Sequence, residues 1–530
     1  MVILPILLFF GSIWNSFSLQ TLYSEARQVR TLQGHEKALP LYQEILAQNP
    51  NDVTAATRIA VDLQNAERHN VIGRGGNRFQ RLRFIQLLES FGWNCTTIAD
   101  LVFSSNGNEI QANRAKSSSS PLFLQPLRAG TQPPSPPTCS LSACIQLLLL
   151  AVCIPKTICV KLLGNEFVEL LEVLGIAFVS DNDENLLVPY VHVFPITVAN
   201  TIIYVATDLH PNVLSLTTVG NDGAVMYIGP DSVALIDHWS SLGALDIGAS
   251  DSIIDIGTGS GVQALSLIAR SSGKTNVKCV DINKRALRIT RLNFDWNNFD
   301  EPTLLLGNIN QPFGTIFECD NDDDPKPWKE LFGNSVTYII SNPPFLPVPI
   351  NDPTISSRYG WFSSGGLTGE EFLESLVRLA SNVLDRTNPS ATLAVVSEFM
   401  NPHGDFDLHL SSWWSGGGGP AEALLLTNEQ AISATTYAQR RADSAEETIE
   451  WEKHLKQMSI NHISPGLLFL KRKREDATTL VAKENTREDN MLVDVKHRLV
   501  PKSSEGSIWT PTNQFARNFT RSSIVEFSRR

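Results

Sequence analysis

The spacing of apolar residues changes character several times along the chain, and each change marks an element or a boundary. From Leu22 to about Gln64, and again from Arg81 to Phe103, apolar positions recur at the spacing of a helix. Val160 to Ile176 (VKLLGNEFVELLEVLGI) repeats that pattern after an apolar run, Cys144 to Ile154, too short for the roughly 20 residues of a membrane span. Val188 to Ile228 instead carries β-rich segments (YVHVFPITV, TIIYVATDL, GAVMYIG) that predict a short sheet. From Ala244 onward, continuous apolar runs alternate with helical ones. SIIDIG is followed by a helix over Val262 to Arg270, VKCVDI by a helix over Lys284 to Asn297, then come TLLLGN and TYIISNPP. A helix over Glu371 to Leu384, the strand TLAVVSEF, and the runs EALLLT and GLLFLKR complete the series. Strands that are apolar throughout are buried on both faces, so this alternation predicts an α/β fold: a seven-stranded, Rossmann-like parallel sheet with helices on both sides.

Six regions follow: a possible targeting peptide over 1–20, a helical region over 21–103, a linker over 104–140, an accessory helical and β domain over 141–235, the α/β domain over 236–475, and a mobile tail over 476–530. The first has an apolar core from Val2 to Trp14 and a small-x-small Ser16-Phe17-Ser18 but no basic start, so a cleaved targeting peptide and a plain amphipathic N-terminus both stand. Location is accordingly the cytoplasm or an organelle reached through that segment. The linker is rich in Ser, Pro, Asn and Gln, which bury too little surface to order a chain. Asp320 to Asp324 reads as a solvated acidic loop, and the KRKR run at Lys471 as a solvated stretch or a weak nuclear signal. Gly34 to Ala60 resembles a tetratricopeptide repeat, with Ala38, Tyr42, Leu46 and Pro50 at that family's packing and turn positions. Little more than one repeat is present and such units stack in series, so a simple helical hairpin is expected.

Composition narrows the function. Hydrophobic residues are 42% of the 530 and charged residues 18%, an ordinary globular balance, and the net charge of −12 argues against coating nucleic acid by bulk electrostatics. The seven cysteines (Cys95, Cys139, Cys144, Cys153, Cys159, Cys279 and Cys319) include no C-x-x-C pair, so neither a disulfide framework nor a metal site is expected.

Two constellations carry chemistry. The first is Asp255-Ile256-Gly257-Thr258-Gly259-Ser260-Gly261, where a strand ends and a helix begins, with Asp281 and Ile282 at the end of the next strand. Glycines allow a tight turn and close approach to a ligand, and an acid at the second strand's tip can accept from a ribose diol. The third glycine comes one residue too early for the G-x-G-x-x-G dinucleotide fingerprint, which disfavours NAD and FAD. DIGTGSG with VDIN resembles the cofactor motifs of class I S-adenosylmethionine-dependent methyltransferases. The resemblance implies that Asp255, Gly257, Thr258, Gly259 and Gly261 lie against the methionine part of S-adenosyl-L-methionine and that Asp281 holds the ribose. It also implies that Asn308, at the third strand's tip where many members have an acid, touches the adenine.

The second is Asn342-Pro343-Pro344-Phe345, at the end of the fourth predicted strand, and ligands of open α/β sheets bind beyond those ends. NPPF resembles the family's N/D-P-P-Y/F/W motif, carried by enzymes that methylate planar, conjugated nitrogens. Such a nitrogen has a delocalised lone pair and is a poor nucleophile. The Asn342 oxygen and the Pro343 carbonyl would accept its N–H bonds and favour charge build-up on nitrogen, and Phe345 would stack on the flat group. The likeness runs from about Ile145 to Leu470, to a group with a helical domain before the catalytic sheet.

The implied function is methyl transfer to a protein glutamine amide, as in the release-factor glutamine methyltransferases, or to an exocyclic base amine in RNA or DNA. A scaffold that has lost activity is the third reading. Partners would be a translation release factor or RNA, with a small activating subunit left open. A base methyltransferase calls for a basic groove, for which Lys284, Arg285, Arg288, Arg291 and Arg358 are the candidates. Tyr359 to Gly369 would be a flexible lip over the substrate or a surface loop of no function, and Glu370 and Glu371 are first-turn helix acids.

Overall fold

A computed structural model describes residues 76–104, 118–124, 134–179, 185–198, 200–210, 225–239, 251–271, 275–317, 324–333, 335–359, 363–414, 419–428, 431–473 and 493–500, with isolated positions over 21–44 and 113–116. The targeting segment and nearly all of the repeat-like hairpin and of the acidic loop lie outside the described residues. Among the described residues no helix is long and apolar enough to cross a membrane. The chain divides into two compact units, one of residues 1–105, 123–194 and 206–216, the other of 106–122, 195–205 and 217–530.

In the first unit, α1 (Arg78–Ser90) begins at Asn77, whose side chain accepts from the Gln80 amide while the Gln80 side chain accepts from the Asn77 amide. The helical run predicted over Arg81 to Phe103 is therefore two helices, with α2 (Cys95–Ser104) separated by a turn at Gly92. After α3 (Ser140–Cys144), Gly164 at φ +85° splits the predicted Val160 to Ile176 helix into α4 (Lys156–Leu163) and α5 (Asn165–Val173). Phe84 of α1 stacks on Phe167 of α5 at 5.2 Å, and Arg83 grips Glu166 through two bonds of 2.8 and 2.9 Å. A three-stranded antiparallel sheet, β1 (Ile154–Pro155), β3 (Leu186–Pro189) and β2 (Ala177–Val179), completes this packing. The hairpin β4 (Val191–Val198) and β5 (Thr201–Asp208) is shared by the two units, residues 195–205 belonging to the second.

The second unit is an α/β Rossmann-like domain. Each of the seven apolar runs forms a strand: β6 (Ser252–Ile256), β7 (Asn276–Asp281), β8 (Thr303–Leu306), β11 (Tyr338–Ser341), β12 (Thr392–Met400), β13 (Ala421–Asn428) and β15 (His462–Arg472). The sheet is wider than those seven, with eleven strands among the described residues. The antiparallel pair β9 (Phe313–Ile316) and β10 (Lys326–Pro327) extends one edge, and short β14 (Ile432–Ser433) pairs with β15. β16 (Val493–Val500) pairs parallel with β13 at the other edge, although it falls in the stretch predicted to be a mobile tail. Its alternating valines and polar residues suit one buried face: Val493 is fully buried and His497 bonds Asp407 at 2.8 Å. The KRKR run is likewise half inside the fold, since Lys471 is buried in β15 against Glu422 at 3.1 Å.

The strand order is β10-β9-β8-β7-β6-β11-β12-β15-β13-β16. The chain moves outward from β6 through β7 and β8, then returns to the other side of β6 with β11, so the order reverses between β6 and β11. That is the switch point where open α/β sheets bind ligands. Around it stand α6 (Pro230–Trp239), α7 (Val262–Ile268), α8 (Lys284–Trp296), α9 (Trp328–Phe332), α10 (Pro353–Arg358), α11 (Glu371–Val383) and α12 (Phe406–Trp414). A pair, α13 (Ala434–Arg441) and α14 (Ala445–Gln457), is inserted before β15. The main core joins Ile254, Ile339, Val395 and Leu468 of the sheet to Leu376 and Val377 of α11 and Trp414 of α12.

Candidate active site

Strand register alone aligns the motifs. Ile256 pairs with Val280 on one side and with Ser341 on the other, and Asp281 pairs with Leu306. One residue further on, Gly257, Asp281 and Asn342 therefore stand level at the carboxyl edge of the sheet, with Ile282 and Gly307 one position beyond. They line a cavity of about 270 Å³ within the second unit, together with Thr258, Gly259, Asn308, Asn310, Pro344, Ser364 and Phe372.

The glycine loop is built by its own backbone. Gly257 and Thr258 amides both donate to the Val280 carbonyl at 2.9 and 3.0 Å, and the Gly261 amide closes a turn on Thr258 at 2.7 Å. Gly257, Gly259 and Gly261 have φ of +69°, +55° and +77°, a region that favours glycine. A Cβ on Gly257 or Gly259 would meet nothing nearer than 4.0 Å, so these two leave open space beside the cavity. Gly261 faces the protein, where a Cβ would lie 2.9 Å from Thr290.

Asp255 does not line the cavity. It is fully buried beneath the loop, accepting from Thr258 Oγ1 at 2.8 Å and the Ala264 amide at 3.2 Å through one oxygen, while the other has no partner. Burial pushes its carboxyl up to about 7 against those bonds. Asp281 is the acid that reaches the cavity. Its oxygens accept from the Gly259 and Asn283 amides at 2.9 Å each, and burial holds its pKa above the usual range. A carboxylate offers about four acceptor positions, so capacity remains for a diol.

At the other side of the switch, Asn342 donates from Nδ2 to Asp231 Oδ2 at 2.7 Å and to Ser232 Oγ at 3.0 Å. Pro343 is buried and outside the cavity lining. Phe345 is also outside it, half-buried and packed against the cluster that includes Tyr437 and Trp451. The segment after it is pinned rather than free. Leu346 accepts from the Gly365 amide and donates to the Ser363 carbonyl, both at 2.9 Å, and Val348 donates to Gly366 at 3.1 Å. Glu371 opens α11 and takes two bonds from Thr368, both at 3.0 Å. Glu370 stands at the N-cap position of that helix without a capping bond from its side chain, and burial raises its pKa to about 8.

The cavity begins earlier than the sequence reading placed the domain. Val225 to Ile228 and Ser232 line it, with Gln263 and Asn283. Gly229-Pro230-Asp231-Ser232 before an apolar run is a helix-start signal, and it was the only local trace of this wall. Of the candidate basic residues, Lys284 is exposed and the side chain of Arg358 lies outside the described residues. Arg285 is buried, Arg291 pairs with Glu301 at 2.6 Å, and the Arg288 guanidinium lies over the Phe317 ring at 5.6 Å.

The residues at the cavity fit S-adenosylmethionine: a carboxylate at the second strand's tip, exposed Ile282 beside it, and two glycines leaving open space at the first strand's end. A family model described as Ribosomal protein L11 methyltransferase (PrmA) matches residues 240–317. A tRNA1(Val) (adenine(37)-N6)-methyltransferase from Pseudoalteromonas atlantica is 30% identical over 196 residues, which is 35% of this chain and 67% of that protein. A ribosomal protein L11 methyltransferase from Staphylococcus carnosus is 24% identical over 153 residues, 28% of this chain and 43% of the relative. Among solved structures, an rRNA methylase from Streptococcus thermophilus overlaps 47% of this chain and 99% of its own at 15% identity, with a TM-score of 0.26. These sequence relatives and the glycine loop at the switch of the sheet have one reading: the chain belongs to the class I S-adenosylmethionine-dependent methyltransferases.

Proposed function

We propose that the enzyme methylates a planar, conjugated NH₂ group, with Asn342 as the residue that recognises it. The supporting observation is the Asn342 amide. Both of its N–H bonds have protein acceptors, which leaves its oxygen for a substrate donor at the cavity. S-adenosylmethionine supplies an electrophilic methyl group on a sulfonium sulfur. Asp281 holds the ribose hydroxyls, Ile282 and Asn308 border the adenine, and Gly257 and Gly259 let the methionine part approach the backbone. The Asn342 oxygen accepts from the attacking NH₂, orienting its lone pair and stabilising positive charge on nitrogen as the N–C bond forms and the S–C bond breaks. The proton lost from nitrogen passes to water. Asp255 supports the loop from below.

A protein glutamine amide is the substrate this geometry supports best, because the candidate arginines of α8 are buried, paired or stacked rather than lined along a groove. The second reading is the exocyclic amine of adenine in RNA, favoured by the name of the relative from Pseudoalteromonas atlantica. Calorimetry with S-adenosylmethionine, followed by labelled-methyl transfer to total protein and total RNA, separates them. Asn342→Ala should cut transfer by about 100-fold with cofactor affinity within about twofold, and Asp281→Ala should weaken the cofactor by at least about tenfold. Equal loss of cofactor binding in both variants would remove these roles.

A further inference from the structure

We infer that Asp231 and Ser232, at the start of α6, are positioning residues that fix which end of the Asn342 amide meets the substrate. The inference rests on the reading of Asn342 as the group that recognises the NH₂. An asparagine side chain is nearly symmetric in shape, and its two ends differ only in hydrogen bonding. A 180° turn about the last bond would present NH₂ to a substrate NH₂, donor against donor, and recognition would be lost.

Asp231 excludes that turn by its chemistry. Burial raises the Asp231 pKa against the bonds from Asn342 and two backbone amides, and in its ionised form the carboxylate only accepts, so it selects the Asn342 nitrogen, which lies 2.7 Å from Oδ2. The second N–H is taken up by Ser232 Oγ at 3.0 Å, which leaves neither hydrogen pointing at the substrate. The oxygen is thereby committed to the cavity side, where Asn342 and Ser232 both belong to the lining.

The position of the carboxylate is itself built. The Asp231 and Ser232 amides bond to it, and its other oxygen folds back over Gly229. A Cβ at Gly229 would lie 2.2 Å from Asp231 Oδ1, so any other residue there displaces the carboxylate. The constraint at 229 is one of room for the carboxylate and not of backbone conformation, since its φ is ordinary.

The arrangement makes two substitutions informative. Asp231→Asn keeps the shape but can donate as well as accept, so the Asn342 amide becomes free to turn. Gly229→Ala keeps the charge and moves the carboxylate. The full-length protein and these variants, with Asn342→Ala and the double variant Asp231→Asn/Asn342→Ala, would be titrated with S-adenosylmethionine and assayed for labelled-methyl transfer to total protein and total RNA. For Asp231→Asn and Gly229→Ala the expected result is a 10- to 100-fold lower turnover at saturating acceptor, with cofactor affinity within about twofold of the unmodified protein. The double variant should be no slower than Asn342→Ala alone, because Asp231 acts through that side chain. Unchanged turnover in Asp231→Asn, or losses that multiply in the double variant, would overturn the inference.

A second readout needs no acceptor. In protein labelled with ¹⁵N at asparagine, the side-chain NH₂ pair that disappears in Asn342→Ala should exchange slowly with solvent, and exchange at least about tenfold faster in Asp231→Asn. Equal exchange in the two proteins would overturn the inference. If the unmodified protein binds cofactor yet methylates neither fraction, the proposed function fails, and the exchange measurement alone decides whether Asp231 holds the amide.

Discussion

Asp255 and Asp281 are two acids of one motif pair with opposite surroundings, and the difference is measurable through pH. Asp255 is sealed under the glycine loop and its carboxyl is raised to about 7, so the folded state binds a proton there more tightly than the unfolded chain. Its contribution to stability is full below the ordinary carboxylate pKa near 4 and is lost as pH rises toward and through 7. Glu370, raised to about 8, acts in the same direction. The unfolding free energy from urea titrations should therefore fall by about a few kcal/mol between about pH 5 and pH 8, and Asp255→Asn should flatten part of that slope. An unchanged slope in the variant would show that Asp255 is not the titrating group. The sequence made both acids legible as motif members but not their division of labour, because only the fold decides which carboxylate is covered. Asp231 was illegible for a related reason: its partner Asn342 is 111 residues away, and a hydrogen bond of that span leaves no local pattern.

At the scale of elements, the glycine loop is held to α8 as well as to its own strand. Thr290 Oγ1 donates to the Gly259 carbonyl at 3.1 Å, Asn293 donates to the Ser260 carbonyl at 2.8 Å, and Gly261 packs on Thr290. Gly261→Ala would place a side chain at φ +77° and 2.9 Å from the Thr290 methyl. The expected cost is about 1–3 kcal/mol of stability, with weaker S-adenosylmethionine binding, read from urea midpoints and calorimetry. A variant as stable as the parent would mean that α8 does not brace the loop. The strands and helices of this region were legible because each is long enough to show its period: α8 and α11 lie within one residue of their predicted spans. The added strands β9, β10 and β14 were not, being only two to four residues each.

For the second unit as a whole, the widened sheet changes what counts as its end. β16 pairs with all of β13, Lys496 reaches Glu422 at 3.4 Å, and the Val493 amide donates to Ser411 of α12 at 3.3 Å. Its polar, alternating sequence after a charged stretch looked like tail because an edge strand needs only one apolar face. Ending the chain at 475 should leave β13 as a bare edge, lower the melting temperature and promote aggregation measurable by light scattering. A truncated protein that matches the parent in both would show that β16 adds nothing to the sheet.

The same strand imposes an order on synthesis. Ribosomes extend a chain by roughly 5–20 residues per second, so β13 emerges several seconds before the segment that will cover it. During that interval the nascent domain carries an open row of amides and carbonyls, the kind of surface that chaperones shield, until β16 arrives and closes it.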